Sequence, residues 1–190
     1  MPPVKTLRSE KRYAGRVFSL IVDEVEYPSG KRGVREVAVH DGGAVTVPLM
    51  DDGAVLLVSQ FRYPMRKALL ELPAGKLDSG EDPAVGAARE LAEETGYTAE
   101  RLTKLTAIYT TPGFCNEQLH IFLATGLKRS AGGQQLDEAE IDLEVKAIPF
   151  DEVMQMIDDQ IIVDSKTICG ILLTDRLVRS GQLHIPGSNA

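Results

Sequence analysis

The first third of the chain is patterned as strands. Apolar and polar residues alternate there, and glycine-rich or aspartate-rich turns separate the segments. The predicted strands cover residues 16–25, 34–40, 44–50 and 54–60. Between the last two, Asp51-Asp52-Gly53 predicts a tight turn, so we expect these strands to form a hairpin. Gly42-Gly43 interrupts the pattern, and residues 1–41 therefore read as a small sheet that is poorly stable without a partner surface.

In the second half of the chain, segments with the alternating pattern of strands are interspersed with segments that have the 3.6-residue spacing of helices. Strands are predicted at residues 103–110, 117–125 and 143–149, and a Thr-Pro-Gly-Phe loop at 111–114 separates the first two. Helices are predicted at 83–95, 150–158 and 165–179, since apolar residues recur there at helical spacing. We therefore expect an α/β (α+β) protein with a few helices on a mixed sheet. The domains would be a β extension at 1–41 and a main domain at 42–190.

Composition narrows the class of function. The 190 residues carry a net charge of −7, which argues against nucleic-acid binding. The apolar runs are too short to span a bilayer, and the N-terminus lacks the apolar region of a signal peptide. Cys115 and Cys169 show no zinc-binding spacing. We therefore expect no membrane partner, reduced thiols and a cytoplasmic location.

The helix at 83–95 combines clear end signals with crowded acids. Asp82 suits the N-cap, and Gly96 suits the C-terminal stop. A small apolar face is predicted to pack on the sheet, formed by Ala84, Ala88, Leu91 and Thr95. Another face carries Glu90, Glu93 and Glu94. These like charges repel each other, Arg89 offsets only part of the repulsion, and a hard divalent cation would relieve it.

The segment from 75 to 97, GKLDSGEDPAVGAARELAEETGY, resembles the Nudix box, G-x5-E-x7-R-E-U-x-E-E-x-G-U, in which U is bulky and apolar. Leu91 fills the first U position, and Tyr97 fills the second as a mild departure. The fixed positions are filled by Gly75, Glu81, Arg89, Glu90, Glu93, Glu94 and Gly96.

Other segments resemble the ADP-ribose pyrophosphatase branch of the Nudix superfamily. They are Gln60-Phe61-Arg62-Tyr63, the run from Glu71 to Gly75, and Pro112, which lies 16 residues after Gly96. The resemblance covers most of residues 12–180. It implies an α/β/α sandwich around a mixed sheet, with the small N-terminal antiparallel sheet exchanged in a homodimer.

The activity that the resemblance implies is hydrolysis of a small nucleoside diphosphate derivative. ADP-ribose, cleaved to AMP and ribose 5-phosphate, is the expected substrate. A broader nucleoside-diphosphate-sugar hydrolase is the alternative, and a non-catalytic nucleotide-sensing domain is a third reading. The sensing reading is disfavoured because such proteins usually lose box glutamates, whereas this chain keeps them all.

The resemblance also implies a site for Mg²⁺ or Mn²⁺. Its ligands would be Glu90, Glu94, a shared Glu93 and the backbone carbonyl of Ala74. Arg89 would orient the glutamates. Glu81 would stabilise its loop or bind a further metal, and we favour the first role.

The resemblance further implies a general base from a loop after the late strands, which in this chain is the acidic loop at 137–140. Asp137, Glu138 and Glu140 are candidates, and Glu140 is favoured because it lies nearest the next strand. Arg35 and Arg62 are expected to contact phosphate or ribose, since arginine offers a rigid fork of donors. The remaining candidate substrate contacts are Glu71, Phe114 and Glu117.

Overall fold

The computed structural model describes residues 4–136, 138 and 141–187. The helices are α1 (Pro83–Thr95), α2 (Phe150–Asp158) and α3 (Ser165–Arg179). The strands are β1 (Lys5–Ala14), β2 (Ser19–Glu26), β3 (Arg32–Val39), β4 (Gly43–Pro48), β5 (Ala54–Arg62), β6 (Lys67–Glu71), β7 (Ala74–Lys76), β8 (Tyr97–Tyr109), β9 (Gln118–Arg129) and β10 (Glu144–Pro149).

The chain separates into two compact units. The first contains the residues up to Gly42 together with Tyr109–Gln118. Within it, β1, β2 and β3 form an antiparallel sheet in that order, and Ala38 bridges to Cys115 of the returning segment. Val25 is the one apolar side chain in the described part of this unit that is fully buried, so the sheet has little core of its own.

The second unit contains Gly43–Ile108 and the chain from Leu119 onward, and it holds two sheets. One is antiparallel, in the order β10-β5-β6. The other is mixed, in the order β7-β4-β9-β8, with β4 parallel to β9 and antiparallel to β7.

The predicted hairpin between the third and fourth strands is wrong. Strands β4 and β5 lie in different sheets, and an isolated bridge between Leu49 and Val55 is their link. All six residues of β4 are buried, as expected for an interior strand covered on both faces. The turn at Asp51–Gly53, where Gly53 has a φ of 87°, carries the chain from one sheet to the other.

The two faces of β4 contact different helices. Val45 and Val47 join the main core with Ile171 of α3. Ala44 joins a second cluster with Ala87 of α1, and the Thr46 hydroxyl donates to the Ala87 carbonyl. Because side chains alternate along a strand, α1 and α3 cover opposite faces of this sheet. The predicted mixed α/β class is thereby confirmed.

The three predicted helices are present with the predicted bounds, and the end signals of α1 act as expected. The Asp82 carboxylate accepts from the Ala84 amide at 2.8 Å, and Gly96 closes α1 with a φ of 71°. Strands β1, β6 and β7 were not predicted, because β1 is highly charged and the other two are short. Among the described residues, no helix is long and apolar enough to cross a membrane.

Candidate functional site

The packed face of α1 is partly the one that the sequence predicts, since Leu91 and Thr95 are buried and Ala84 packs against the second cluster. It differs at Ala88 and in burying two of the acids. Ala88 is exposed, whereas Ala87, Glu90, Leu91 and Glu94 are buried. Glu90 is 8% exposed and Glu94 is 2% exposed. Two of the three clustered glutamates therefore turn toward β7 instead of facing solvent. Burying carboxylates costs free energy unless hydrogen bonds or cations compensate it, so this orientation must be stabilised by what surrounds it.

Strand β7 is shaped to receive these carboxylates. A Cβ atom placed on Gly75 would lie 2.0 Å from the carboxyl carbon of Glu90, so a larger residue there would displace this carboxylate. The neighbouring Ala74 amide donates to Oε2 of Glu94 at 3.0 Å. The glycine at the start of the box thus makes room for one glutamate, and the preceding residue holds another.

Arg89 binds three of the box carboxylates at once. Its Nη1 donates to Glu90 at 2.7 Å and to Glu93 at 3.0 Å. Its Nε and Nη2 donate to the two oxygens of Glu81 at 3.1 and 3.0 Å, and Nη2 also donates to the Lys76 carbonyl. The hydrogen bond to Glu81 is the main cause that raises the pKa of Arg89. The four-residue spacing predicts that Arg89 pairs with Glu93. The structure shows that it also neutralises charge on Glu81 and Glu90.

The contacts of Glu81 support the loop-stabilising role. Its Oε2 accepts from the Asp78 amide at 3.0 Å as well as from Arg89. The hydrogen bonds from Arg89, followed by that from Asp78, lower the pKa of Glu81. The carboxylate thus stays charged and ties the loop before α1 to the helix.

Arg89, Glu90 and Glu93 border an open cleft of about 700 Å³. It is lined by Gly75, Lys76, Asp78, Arg89, Glu90, Glu93, Gln135 and Leu136. The Gln135 amide donates to the Glu93 carbonyl at 2.8 Å, and the Gln134 side chain donates to the Glu94 carbonyl at 2.7 Å. The start of the acidic loop is therefore fixed to the end of α1. Glu138 is exposed, whereas Asp137 and Glu140 lie outside the described residues.

The donor atoms beside this cleft suit a hard divalent cation. Oxygen atoms of carboxylates and carbonyls are suitable ligands for Mg²⁺, and the absence of a side chain at Gly75 lets the Glu90 carboxylate lie against the strand. In the part of the chain that is described, no three histidine, cysteine, aspartate or glutamate side chains already converge around a common point. The oxygen donors of these residues are chemically suited to a metal ion. In this structure the positive charge beside them is that of Arg89, which donates to Glu90 and Glu93.

A second charged cluster lies at the end of β5. Both oxygens of Glu71 accept from Arg62, at 2.7 Å to Nε and 2.7 Å to Nη2. Glu71 is 1% exposed and also accepts from Lys166 of α3. Burial alone would raise the pKa of Glu71, but the hydrogen bonds and charges of Arg62 and Lys166 lower it overall. Glu71 is thus placed to hold Arg62 and not to face solvent itself.

Sequence reasoning assigned no role to Lys166 or to its neighbour Asp164. The N-cap position of Asp164, whose carboxylate accepts from the Thr167 amide, was the available signal. It locates the start of a helix but does not reveal that this start lies against Glu71.

The candidates in the first unit sit around another cleft, of about 630 Å³. Phe114 is exposed, and Glu117 accepts from the Thr110 hydroxyl at 2.7 Å. Nδ1 of His40, to which the sequence assigned no chemistry, lies 3.5 Å from the other oxygen of Glu117. The cleft is lined by Val17, Phe18, Leu20, Glu36, Ala38, His40, Phe114, Cys115 and Glu117.

Arg35 lies on exposed β3 in the same unit. Its guanidinium stacks over the Tyr27 ring at 5.2 Å and donates to the Val34 carbonyl. These local contacts hold the side chain on its own strand.

Residues 40–168 match the family model of the NUDIX domain. The chain belongs to the Nudix family. The match contains the whole 75–97 segment, so the resemblance seen in the sequence is confirmed.

Relatives of this Nudix protein match most of its length. It is 41% identical to an ADP-ribose pyrophosphatase of Bacillus subtilis (strain 168), over 88% of this chain and 90% of the relative. It is 40% identical to a methanol dehydrogenase activator of Bacillus methanolicus, over the same shares of the two chains. A crystal structure of an ADP compounds hydrolase superposes with a TM-score of 0.83 at 24% identity, covering 95% of this chain and 97% of that one. The Nudix fold is thereby confirmed.

Proposed function

We propose that this Nudix protein hydrolyses the pyrophosphate bond of ADP-ribose and releases AMP and ribose 5-phosphate. The observation that carries the proposal is the pair of buried glutamates, Glu90 and Glu94, held against β7 beside an open polar cleft. The similarity to an ADP-ribose pyrophosphatase supports the choice of substrate.

Glu90, Glu93 and Glu94, with the Ala74 carbonyl, would hold Mg²⁺ or Mn²⁺. A bound divalent ion lowers the pKa of water and neutralises charge on a diphosphate. Arg89 keeps the glutamates in place through its hydrogen bonds to Glu90 and Glu93. It therefore acts as a positioning residue, and the catalytic effect attributed to Arg89 passes through these two side chains.

Glu140 is proposed as the general base. A water oxygen forms a bond to one phosphorus of the diphosphate, the bond from that phosphorus to the bridging oxygen breaks, and the water proton passes to Glu140. The fixed start of the acidic loop supports this assignment, because Gln134 and Gln135 attach the loop beside the cleft.

Arg62 is proposed to bind a phosphate of the substrate. The side chain of Arg62 is 36% exposed, and its bonds to Glu71 use two of the five N–H donors of a guanidinium. The hydrogen bond that Arg62 donates to Glu71 is the main cause that raises the pKa of Arg62, and the charge of Glu94 contributes less. The arginine therefore lies within electrostatic range of the acidic cluster.

Arg35, Phe114 and Glu117 are proposed as contacts to the nucleotide or the terminal ribose. We also propose that the protein is a homodimer, with a second copy covering the first unit. The small core of that unit supports this, as do its exposed Val17, Phe18 and Val34 side chains. Cys115 and Cys169 are free thiols, which fits the cytoplasmic location that we propose.

A parallel rate assay on ADP-ribose, ADP-glucose and GDP-mannose tests the substrate, with Mg²⁺ or Mn²⁺ and detection of the released nucleotide. We expect ADP-ribose to give the largest kcat/KM. Equal values for all three would favour a broader nucleoside-diphosphate-sugar hydrolase. Binding of ADP-ribose without release of AMP would favour a nucleotide-sensing domain.

Removal of metal is expected to destabilise the folded protein. Crowded carboxylates favour a bound cation, and a ligand that binds only the folded state at 100 times its Kd adds about 2.7 kcal/mol to the free energy of unfolding. For a chain of this size, the thermal midpoint should fall by about 5–10 °C on chelation. Thermal unfolding with Mg²⁺ and with excess chelator measures this, and an unchanged midpoint would contradict the metal site.

A further inference from the structure

Lys166 occupies an unfavourable place for a cation. It is the second residue of α3, and it is 8% exposed. The first turn of a helix carries the positive end of the helix dipole, which disfavours a positive side chain. Burial of an ammonium group adds a further cost. Lys166 therefore needs an interaction that compensates both the unfavourable helix dipole and the burial of its charge.

The compensation comes from two carboxylates. Nζ of Lys166 donates to Oδ2 of Asp164 at 3.0 Å and to Oε2 of Glu71. The same Glu71 oxygen accepts from Nη2 of Arg62. The four side chains form a chain of alternating charge, Asp164–Lys166–Glu71–Arg62, with no net charge.

The start of α3 is also attached to the strands by bonds that do not involve Lys166. The Leu72 amide donates to the Thr167 hydroxyl at 2.8 Å, and this hydroxyl donates to Asp164 at 2.6 Å. These bonds join the helix start to the segment after β6 without any contribution from the lysine. What Lys166 adds is a second cation on Glu71, at the oxygen that also accepts from Nη2 of Arg62.

We propose that Lys166 is a positioning residue for substrate binding, which holds Glu71 so that the guanidinium of Arg62 is fixed for the diphosphate. The inference rests on the proposed role of Arg62 as a phosphate contact. Without Lys166, Glu71 keeps Arg62 as a cationic partner and loses the contact that ties its Oε2 to α3. Arg62 would then no longer be held in one orientation.

The test is a double-mutant cycle of Lys166→Met and Arg62→Ala. Each single variant is expected to raise KM for ADP-ribose by about 10- to 100-fold and to change kcat far less, because a misplaced binding group costs about that much. In the Arg62→Ala background, Lys166→Met should change KM by less than about twofold, since coupled residues are not additive. Lys166→Gln, which keeps a hydrogen-bond donor, is the second variant if methionine prevents folding.

Thr174→Val is the matched control for stability. Thr174 is buried in the same helix, and its hydroxyl donates to the Gly170 carbonyl at 2.9 Å. We expect this variant to lower the thermal midpoint without changing KM. A KM effect of Lys166→Met that persists in full without Arg62, or that Thr174→Val reproduces, would overturn the proposal.

The positioning role of Lys166 can be tested separately from the proposed hydrolysis. Calorimetry measures the affinity of the same proteins for ADP-ribose in excess chelator, where no turnover is expected. If no variant or wild-type protein turns over ADP-ribose, the proposed hydrolysis fails, and the coupling is read from Kd instead. Coupled losses of affinity would still support the positioning role of Lys166. Additive losses, or none, would contradict it.

Discussion

Glu94→Gln is expected to lower kcat for ADP-ribose by about 10²–10³-fold, the cost of removing one strong electrostatic group from a catalytic site. Glu94 is buried, and its Oε2 accepts from the Ala74 amide. Glutamine has the same shape and can still accept that hydrogen bond. The change therefore removes the negative charge and leaves the local packing.

The stability of Glu94→Gln distinguishes charge from folding. A neutral amide costs less to bury than a carboxylate, so the metal-free variant should unfold at or above the midpoint of the metal-free wild type. Its stabilisation by Mg²⁺ should shrink. Glu152→Gln, an exposed site in the first turn of α2, is the control and should change kcat by less than about twofold. A Glu94→Gln enzyme with normal kcat would remove Glu94 from the metal site.

Glu140→Gln is expected to lower kcat by about 10²–10⁴-fold, the usual contribution of a general base. Glutamine cannot accept the proton from water, whereas it can still occupy the same space. KM should change little, because the proposed role concerns the chemical step and not binding. Steady-state kinetics on ADP-ribose measure both quantities.

Glu138→Gln is the comparison for the base, since Glu138 is an exposed carboxylate of the same loop. If Glu140 is the base, Glu138→Gln should retain most of the activity. A large loss in Glu138→Gln together with normal kcat in Glu140→Gln would move the role to Glu138. Normal kcat in both would return it to Asp137 or to a box glutamate.

Local signals in the sequence were enough to locate the helices. Asp82 and Gly96 define α1 through bonds to residues within four positions, so no knowledge of the fold is needed. The identities of the box residues were equally visible, because the pattern of fixed positions is itself local.

Which way the glutamates face was not visible in the sequence. Periodicity placed Ala88 inside and the acids outside, but the carboxylate of Glu90 fits against Gly75, and Glu94 bonds to Ala74 across 20 positions. Burial of a carboxylate depends on a strand that packs against the helix. Prediction from helical periodicity places charged residues on the exposed face. It therefore gives the wrong orientation for acids that are buried for a functional reason.

Contacts between residues far apart in the sequence explain why the predicted hairpin is wrong and why Lys166 was missed. The turn at Asp51–Gly53 has hairpin chemistry, yet β4 pairs with β9, more than 70 positions later. Lys166 and Glu71 are 95 positions apart. Such contacts follow from how sheets and helices are layered, which short segments of sequence do not specify.

The central claim is that the cluster of buried glutamates supports hydrolysis of ADP-ribose. Chromatographic separation of the products after incubation with ADP-ribose tests it most directly, with Mg²⁺, with excess chelator, and with Glu94→Gln in Mg²⁺. We predict equal amounts of AMP and ribose 5-phosphate from the wild type in Mg²⁺, and almost none in the other two reactions. Intact ADP-ribose in all three, or equal AMP with and without metal, would contradict the claim.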